Sequence, residues 1–256
     1  MEKLQVNGAG IEVQRLPGTK GRPLAPIIFL HEGLGSVAMW RDWPAQVCDE
    51  TMRAGIVYSR PGYGQSDSIP DIRGAGRLAP DYMHRAALEE LPMLLDALNI
   101  ASPVLLGHSD GATIALLYAS RFPVTACVVM APHVIVEDLS VQSIAQARDA
   151  YTSGNLRERL SRYHADVDCA FWQWNDIWLS PAFRDFDIRA ECRRIEAPVL
   201  AIQGEEDPYG TLRQIDEIAP RGPLQKLVLP NCGHSPQRDQ PVRTREGIVR
   251  FLTALP

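Results

Sequence analysis

The sequence lacks the patterns that mark several large classes of protein. Its five cysteines are scattered and none belongs to a C-x-x-C pair, so the spacing of a zinc site or a redox motif is missing. No run of about 18 apolar residues could cross a membrane, and the N-terminal sequence MEKLQVNGAGIEVQ has no apolar stretch of the length that a signal peptide needs. A phosphate-binding glycine-rich loop and a dinucleotide fingerprint are also missing. We therefore expect a soluble, cytoplasmic protein with reduced thiols, no metal and no cofactor.

Charge and composition narrow the possible partners. The net charge is −5, from 31 acidic and 26 basic residues. This mild balance gives no reason to expect nucleic acid or an anionic membrane as a partner. With 256 residues, 45% of them hydrophobic, the chain suits one domain of the larger α/β kind with an insertion.

Short apolar runs alternate with helical patterns along most of the chain. The runs are bounded by glycine, proline or polar residues, which predicts buried parallel strands at 26–31, 55–60, 103–109, 125–132, 198–204 and 224–230. Helical spacing predicts helices at 81–98, 112–121 and 236–255, with Pro92 as a kink or a start. This alternation predicts a mostly parallel sheet, which binds its ligand at the carboxyl ends of the strands.

One segment, residues 133–194, breaks the alternation. It is helical in pattern, rich in aromatic residues and without a good strand candidate. An insertion of this length between two strands predicts a cap or lid over the sheet edge, with residues 1–132 and 195–256 forming the core. The alternative is a plain helical layer whose aromatic residues are its own core.

The main chemical signal is the G-x-S-x-G pentapeptide of residues 107–111. It follows the apolar run PVLL and opens the apolar helix ATIALLYAS, which is the strand–turn–helix that exposes a nucleophilic serine. The flanking Gly107 and Gly111 are expected because side chains there would collide with a neighbouring strand and helix. Ser109 is therefore the predicted nucleophile, and an ordinary glycine-rich turn is the alternative.

A serine hydroxyl needs a base to remove its proton and an acid to orient that base. Asp207 follows the predicted strand at 198–204, and His234 follows the one at 224–230, so both should lie at the same sheet edge as Ser109. We predict Asp207 as the acid and His234 as the base. Glu205 or Glu206 could replace Asp207 in that role.

The other five histidines compete with His234. The side chain of His108 should point away from the nucleophile. His84 and His164 lie in helical patterns, which predicts structural or solvent-facing roles. His31 ends a strand and His133 begins the predicted cap, so either could line the pocket.

The chain resembles the α/β-hydrolase superfamily over nearly its whole length, from PIIFLHEGLG through PGYGQSD and GHSDG to GEEDP and GHSPQ. The resemblance implies an α/β-hydrolase fold, a mostly parallel eight-stranded sheet flanked by helices, with a helical cap. Two backbone N–H groups should form the oxyanion hole, one from Asp110 and one from Gly33 or Leu34. Related sequences usually read His-Gly in this loop where this one reads His-Glu-Gly, so the choice between Gly33 and Leu34 stays open.

The Ser-Asp-Gly elbow and the cap sequence RYHADVDCAFWQWNDIW are similar to those of the valacyclovir hydrolase type, which cleaves amino-acid esters. That resemblance implies that Asp110 recognises a substrate ammonium group. The alternative is that Asp110 bonds only to nearby protein groups. The residues expected to contact substrate are Glu32, Asp110, His133, Trp174 and Trp178.

These features predict a serine hydrolase that cleaves a small carboxylic ester through an acyl-enzyme on Ser109. A small molecule is thus the expected partner, and a homo-oligomer is compatible with the sequence. Thioester, lactone and carbon–carbon bond hydrolysis use the same constellation of residues, and a lyase or a non-catalytic small-molecule receptor are further alternatives. The serine excludes the branch of the family that uses an aspartate nucleophile.

Overall fold

The computed structural model describes residues 1–18 and 24–255, in which eight strands form one sheet. The strands are β1 (Glu2–Val6), β2 (Ala9–Leu16), β3 (Ile27–Leu30), β4 (Gly55–Tyr58), β5 (Val104–His108), β6 (Ala126–Met130), β7 (Val199–Gly204) and β8 (Leu224–Leu229). Their spatial order is β1-β2-β4-β3-β5-β6-β7-β8. Strands β3 to β8 pair in parallel, whereas β2 pairs antiparallel with both β1 and β4. The predicted fold class, a mostly parallel eight-stranded sheet, is confirmed.

All six strands that were placed from apolar runs are present, whereas the hairpin of β1 and β2 was not predicted. Strand β2 carries Glu12 at its centre, so it does not form an apolar run. The Glu12 side chain is nevertheless buried, and it accepts hydrogen bonds from Ser59 Oγ at 2.7 Å and from the Gln65 N–H at 2.9 Å. Long-range partners therefore make a charged residue acceptable inside this strand.

Helices flank the sheet on both faces. They are α1 (Val37–Trp40), α2 (Trp43–Thr51), α3 (Tyr82–Arg85), α4 (Leu91–Leu98), α5 (Asp110–Ala119), α6 (Asp138–Thr152), α7 (Leu156–Leu160), α8 (Val167–Trp178), α9 (Arg189–Cys192), α10 (Arg213–Asp216), α11 (Pro236–Asp239) and α12 (Pro241–Thr253). A π-helical turn, Ala86–Glu90, joins α3 to α4, and Pro92 is the second residue of α4, where a proline is tolerated. The helix predicted at 236–255 is divided between α11 and α12. In the described part of the chain, no helix has both the length and the hydropathy that crossing a bilayer requires.

Two apolar clusters cover opposite faces of the sheet, because successive side chains of a strand point to opposite sides. On β3, Ile28 and Leu30 belong to one cluster, which also contains residues of α4 and α5. Ile27 and Phe29 belong to the other, which contains residues of α2 and α12. The helical segment between β6 and β7 adds buried aromatic residues to the first cluster. Its helices therefore pack on the side of the sheet that carries α5.

Candidate active site

Ser109 lies in the sharp turn between β5 and α5. Its φ of 53° and ψ of −119° are unusual for a residue with a side chain. A Cβ atom added to Gly107 would collide with the backbone of Gly111, and one added to Gly111 would collide with the carbonyl of Leu30 at the end of β3. The predicted need for both glycines is confirmed, since only their absence of side chains lets strand, turn and helix approach so closely.

The structure brings Ser109, His234 and Asp207 together, although they are far apart in the chain. His234 Nε2 is 2.9 Å from Ser109 Oγ. On the other side of the ring, Nδ1 is 2.8 Å from Asp207 Oδ2 and 2.9 Å from Oδ1. A proton on Nδ1 is held by the carboxylate, and Nε2 is then free to accept the proton of the serine hydroxyl. The arrangement can activate a serine oxygen as a nucleophile.

Asp207 is fixed from several directions. Its Oδ2 accepts a hydrogen bond from Gln203 Nε2 at 2.7 Å, and its Oδ1 accepts one from the Tyr209 N–H at 2.7 Å. Burial alone would raise the pKa of Asp207, but hydrogen bonding to His234, the charge of that imidazole and the Tyr209 N–H outweigh it and hold the pKa below its usual value. The carboxylate is therefore ionised and ready to orient His234.

A second group of polar residues lies behind His234. His108, which is buried, donates from Nε2 to the backbone carbonyl of His234 at 2.6 Å. Its Nδ1 lies 3.1 Å from Gln237 Nε2 and 3.4 Å from Glu32 Oε2. Burial would raise the pKa of Glu32, but the hydrogen bond and charge of His108 and the charge of Arg238 hold it well below its usual value. The Glu32 carboxylate thus faces His108 and Arg238, which lies 3.7 Å away.

The loop predicted to supply an oxyanion donor follows β3. The Gly35 N–H is already used, because it donates to the Glu32 carbonyl at 3.0 Å. Gly33 lies directly under the indole of Trp174, with which an added Cβ atom would collide. The carbonyl of Leu34 accepts a hydrogen bond from His164 Nε2 at 3.1 Å. This loop is therefore held by two residues of the segment between β6 and β7.

Asp110 is the first residue of α5, and its side chain is fully buried. Its Oδ2 accepts a hydrogen bond from the Tyr82 hydroxyl at 2.7 Å, and Tyr82 in turn accepts one from Trp178 Nε1 at 3.0 Å. The nearest atom of Arg60 lies 3.9 Å from the same oxygen. Burial raises the pKa of Asp110, although Arg60 and Tyr82 partly oppose the shift. The indole N–H of Trp178 and the charge of His234 also oppose the shift. Oδ1 itself is buried and has no partner within hydrogen-bond distance among the described residues, so it can still accept.

Further rings surround His234. The Tyr209 ring centroid is 4.7 Å from that of His234, and the His133 centroid is 5.7 Å from it. His133 also meets Trp178 at 4.8 Å. Burial and the neighbouring charge of His234 lower the pKa of His133 to about 3, so its imidazole is neutral at pH 7. His234 therefore lies against aromatic and uncharged groups on this side.

The remaining histidines differ in part from expectation. His164 was predicted to lie in a helix, but it lies in the loop between α7 and α8 because Asp166 caps α8 two residues later. Its Nδ1 accepts the Gly64 N–H at 3.0 Å, so His164 joins the Gly64 turn to the loop that contains Leu34. His31 is buried, and its Nε2 accepts the Arg60 N–H at 3.0 Å.

Sequence reasoning gave His164 only a structural or solvent-facing role and gave Tyr82 none. Each acts through a partner that is distant in the chain, and neither stands in a motif. Residues 1–18 and 24–255 contain no cluster of three or more histidine, cysteine or acidic side chains that could hold a metal ion.

Comparison with known proteins identifies a family and similar chains. A sequence profile described as "Alpha/beta hydrolase family" matches residues 27–246. A protein provisionally named carbamate hydrolase RutD, from Pseudomonas savastanoi pv. phaseolicola, is 26% identical over 255 residues, which cover 90% of this chain and 95% of the relative. A 2-succinyl-6-hydroxy-2,4-cyclohexadiene-1-carboxylate synthase from Enterobacter sp. (strain 638) is 24% identical over 264 residues. The match covers 91% of this chain and 93% of the synthase.

Solved structures with the same fold cover nearly the whole chain. The crystal structure of an enol-lactonase from Burkholderia xenovorans LB400 superposes with a TM-score of 0.73 at 19% identity, covering 98% of this chain and 99% of that one. These names describe different reactions, so the similarity defines the architecture and leaves the substrate to be argued from the site.

Proposed function

This chain belongs to the α/β-hydrolase family and is a hydrolase, and we propose that it cleaves small carboxylic esters through an acyl-enzyme formed on Ser109. The observation that carries the proposal is the relay from Asp207 through His234 to Ser109, with hydrogen-bond distances of 2.8 and 2.9 Å. In this scheme Ser109 attacks the ester carbonyl while His234 accepts its proton. The imidazolium, held by Asp207, then protonates the departing alcohol.

Two backbone N–H groups would stabilise the oxyanion that forms in the first step. We assign one to Asp110, because the N–H of the first residue of a helix has no partner within the helix. The other comes from Gly33 or Leu34, since the Gly35 N–H is already bonded to Glu32. Water, activated by His234, then hydrolyses the acyl-enzyme and restores Ser109.

We further propose that residues 133–194 act as a cap on the core formed by residues 1–132 and 195–256. Trp174 covers Gly33, and Trp178 reaches Asp110 through the Tyr82 hydroxyl. Ser109 is only 5% exposed in this arrangement. The cap segment therefore supplies His133, Trp174 and Trp178 to the walls of the site, where they contact substrate. The Glu32 carboxylate lies 3.4 Å from His108 and 3.7 Å from Arg238, so in this proposal it supports His108.

The substrate class that best fits the site is an ester with an α-amino acyl group. Asp110 is one residue from the nucleophile, and its Oδ1 is a buried acceptor without a partner among the described residues. An ammonium group would satisfy this oxygen with a charge-assisted hydrogen bond. With a simple acyl ester, the same oxygen stays unsatisfied, which costs about 1–3 kcal/mol.

The test is hydrolysis of activated esters in matched pairs, such as alanyl against propionyl, by wild type, Ser109→Ala and Asp110→Asn. Asparagine keeps an oxygen that can accept from Tyr82 but removes the charge. We expect Ser109→Ala to abolish turnover of both esters, and Asp110→Asn to lower kcat/KM for the alanyl ester by roughly 10- to 100-fold while sparing the propionyl ester. Equal losses on both esters would contradict amino recognition and leave the ester mechanism intact.

Lactones, thioesters and vinylogous diketones belong in the same panel, because relatives of this chain carry names of other reactions. Turnover of a diketone above that of every ester would replace the ester assignment with carbon–carbon bond hydrolysis. Tight ligand binding without turnover of any of these substrates would instead indicate a receptor.

A further inference from the structure

A second candidate site lies where α7 approaches α11 and the residue that follows α1. It is a cavity of about 190 Å³, large enough for several water molecules. No carboxylate lines this cavity. Four arginines do: Arg41, Arg159, Arg162 and Arg238. In a chain with a net charge of −5, this is a marked local excess of positive charge.

Little of this positive charge is neutralised by the protein. Arg162 lies 3.8 Å from Glu158 and Arg238 lies 3.7 Å from Glu32, so each of these two arginines has one carboxylate near the outer limit of ion-pair distance. Among the described residues, Arg41 and Arg159 form no ion pair. All four arginines are exposed residues, so solvent screens part of their mutual repulsion, and a bound anion removes what remains.

The backbone of Arg41 has an unusual conformation. Its φ of 55° and ψ of −134° lie in the same unusual region as those of Ser109, at 53° and −119°. A residue with a long side chain adopts such angles at a cost of about 1–3 kcal/mol, and such residues concentrate at functional sites. Arg41 caps the end of α1, and its N–H donates to the Ala38 carbonyl at 3.3 Å, so this turn fixes where its side chain leaves the backbone beside the cavity.

A neighbouring groove of about 540 Å³ shares Arg41 and Arg238 with this cavity. Trp40 and Trp43 form part of its wall, with stacked rings whose centroids are 5.8 Å apart. The indole N–H groups of both are buried and lack an acceptor within the described residues. Because these N–H groups point into the protein, the groove offers the aromatic edges of the two indoles, but not their donors, beside the arginine cavity.

We propose that the arginine cavity binds the phosphate group of a phosphorylated small molecule, whose organic part extends into the adjacent groove. Guanidinium groups match the oxygens of phosphate in pairs, and a doubly charged group balances several arginines better than a carboxylate does. The site is also connected to the catalytic centre, because Arg238 contacts Glu32, and Glu32 contacts His108 behind His234. The phosphate belongs either to the ester substrate itself or to a separate effector.

The test is calorimetric titration of the intact protein with inorganic pyrophosphate, in wild type and in Arg159→Gln/Arg162→Gln. Arg148→Gln/Arg193→Gln is the matched control, since it removes two exposed arginines that do not line the cavity. We expect saturable binding to wild type, weakened by roughly tenfold per arginine lost in the first double variant and unchanged in the control. Absence of saturable binding to wild type, or equal weakening in both double variants, would overturn the proposal.

Ser109→Ala separates this proposal from the proposed hydrolase activity. It should bind pyrophosphate as wild type does, even though it hydrolyses nothing. A pair of esters that differ only by a phosphate on the alcohol then distinguishes the two sources of the ligand. If the phosphorylated ester has the lower KM and this preference is lost in Arg159→Gln/Arg162→Gln, the phosphate belongs to the substrate. If pyrophosphate binds but neither ester is preferred, the phosphate belongs to a separate effector. Binding of citrate but not pyrophosphate would overturn the assignment to phosphate.

Discussion

His108 donates a hydrogen bond from Nε2 to the backbone carbonyl of His234 at 2.6 Å. The residue before Ser109 therefore holds the segment that carries the proposed base, across 126 positions of the chain. The ring nitrogens of His108 face the His234 carbonyl, Gln237 and Glu32, and we infer that His108 fixes the position of His234.

Replacing His108 tests this link. In His108→Leu the carbonyl of His234 loses its buried donor, which costs about 1–3 kcal/mol, so we expect kcat to fall by roughly 10- to 100-fold while KM changes little. His108→Gln, whose amide can again donate near the carbonyl, should recover part of the loss. Steady-state kinetics on one activated ester measures both variants. A rise in KM without a fall in kcat, or equal losses in both variants, would contradict a positioning role.

Asp207→Asn should lower kcat by about 10⁴-fold, because the amide no longer holds the proton of His234 on Nδ1. Single-turnover kinetics at pH 7 measures this effect, and a loss below tenfold would show that another acid, Glu205 or Glu206, takes the role. Glu206→Gln is the control and should leave kcat within about twofold of wild type.

The lowered pKa of Asp207 also predicts how stability depends on pH. A carboxyl whose pKa is lower in the folded state stabilises the fold fully above its unfolded value of about 3.9, and the stabilisation is lost as pH falls through the folded pKa. The free energy of unfolding of wild type should therefore fall more steeply than that of Asp207→Asn between about pH 5 and about pH 3. This window extends about one pH unit to either side of the unfolded pKa. Urea denaturation across this range measures the difference, and parallel curves would contradict the assigned shift.

The contact between Gly33 and Trp174 predicts a coupled pair of substitutions. Gly33→Ala should lower both the midpoint of thermal unfolding and kcat, because the new methyl group collides with the indole. Removing the indole in Gly33→Ala/Trp174→Ala should restore part of the stability, giving a coupling free energy of about 0.5–3 kcal/mol. Additive effects in the double-mutant cycle would show that Trp174 does not cover this loop in solution.

The sequence was sufficient to locate what depends on local pattern. The six apolar strands follow from their runs. The positions of Ser109, Asp207 and His234 after strand ends predicted that they lie together, as they do, and their catalytic roles stay a prediction. The hairpin of β1 and β2 was missed because Glu12 interrupts its apolar pattern, and the partners that satisfy it, Ser59 and Gln65, come from elsewhere in the chain.

The environment of the site depended on contacts that a pattern does not contain. For Asp110 the sequence left two roles open, and the structure presents one oxygen bonded to Tyr82 and one without a partner among the described residues. The bridge from His164 to Leu34 joins residues 130 positions apart. Such links arise only when the segment between β6 and β7 packs against the core, so no local spacing could reveal them.

The central claim is that Ser109 becomes covalently acylated, and intact-protein mass spectrometry with peptide mapping tests it most directly. A wild-type sample quenched during hydrolysis of an activated amino-acyl ester should gain the mass of one acyl group, located on the peptide that contains Ser109. The adduct should be absent from Ser109→Ala. Turnover without an adduct on that peptide, or continued turnover by Ser109→Ala, would contradict the account.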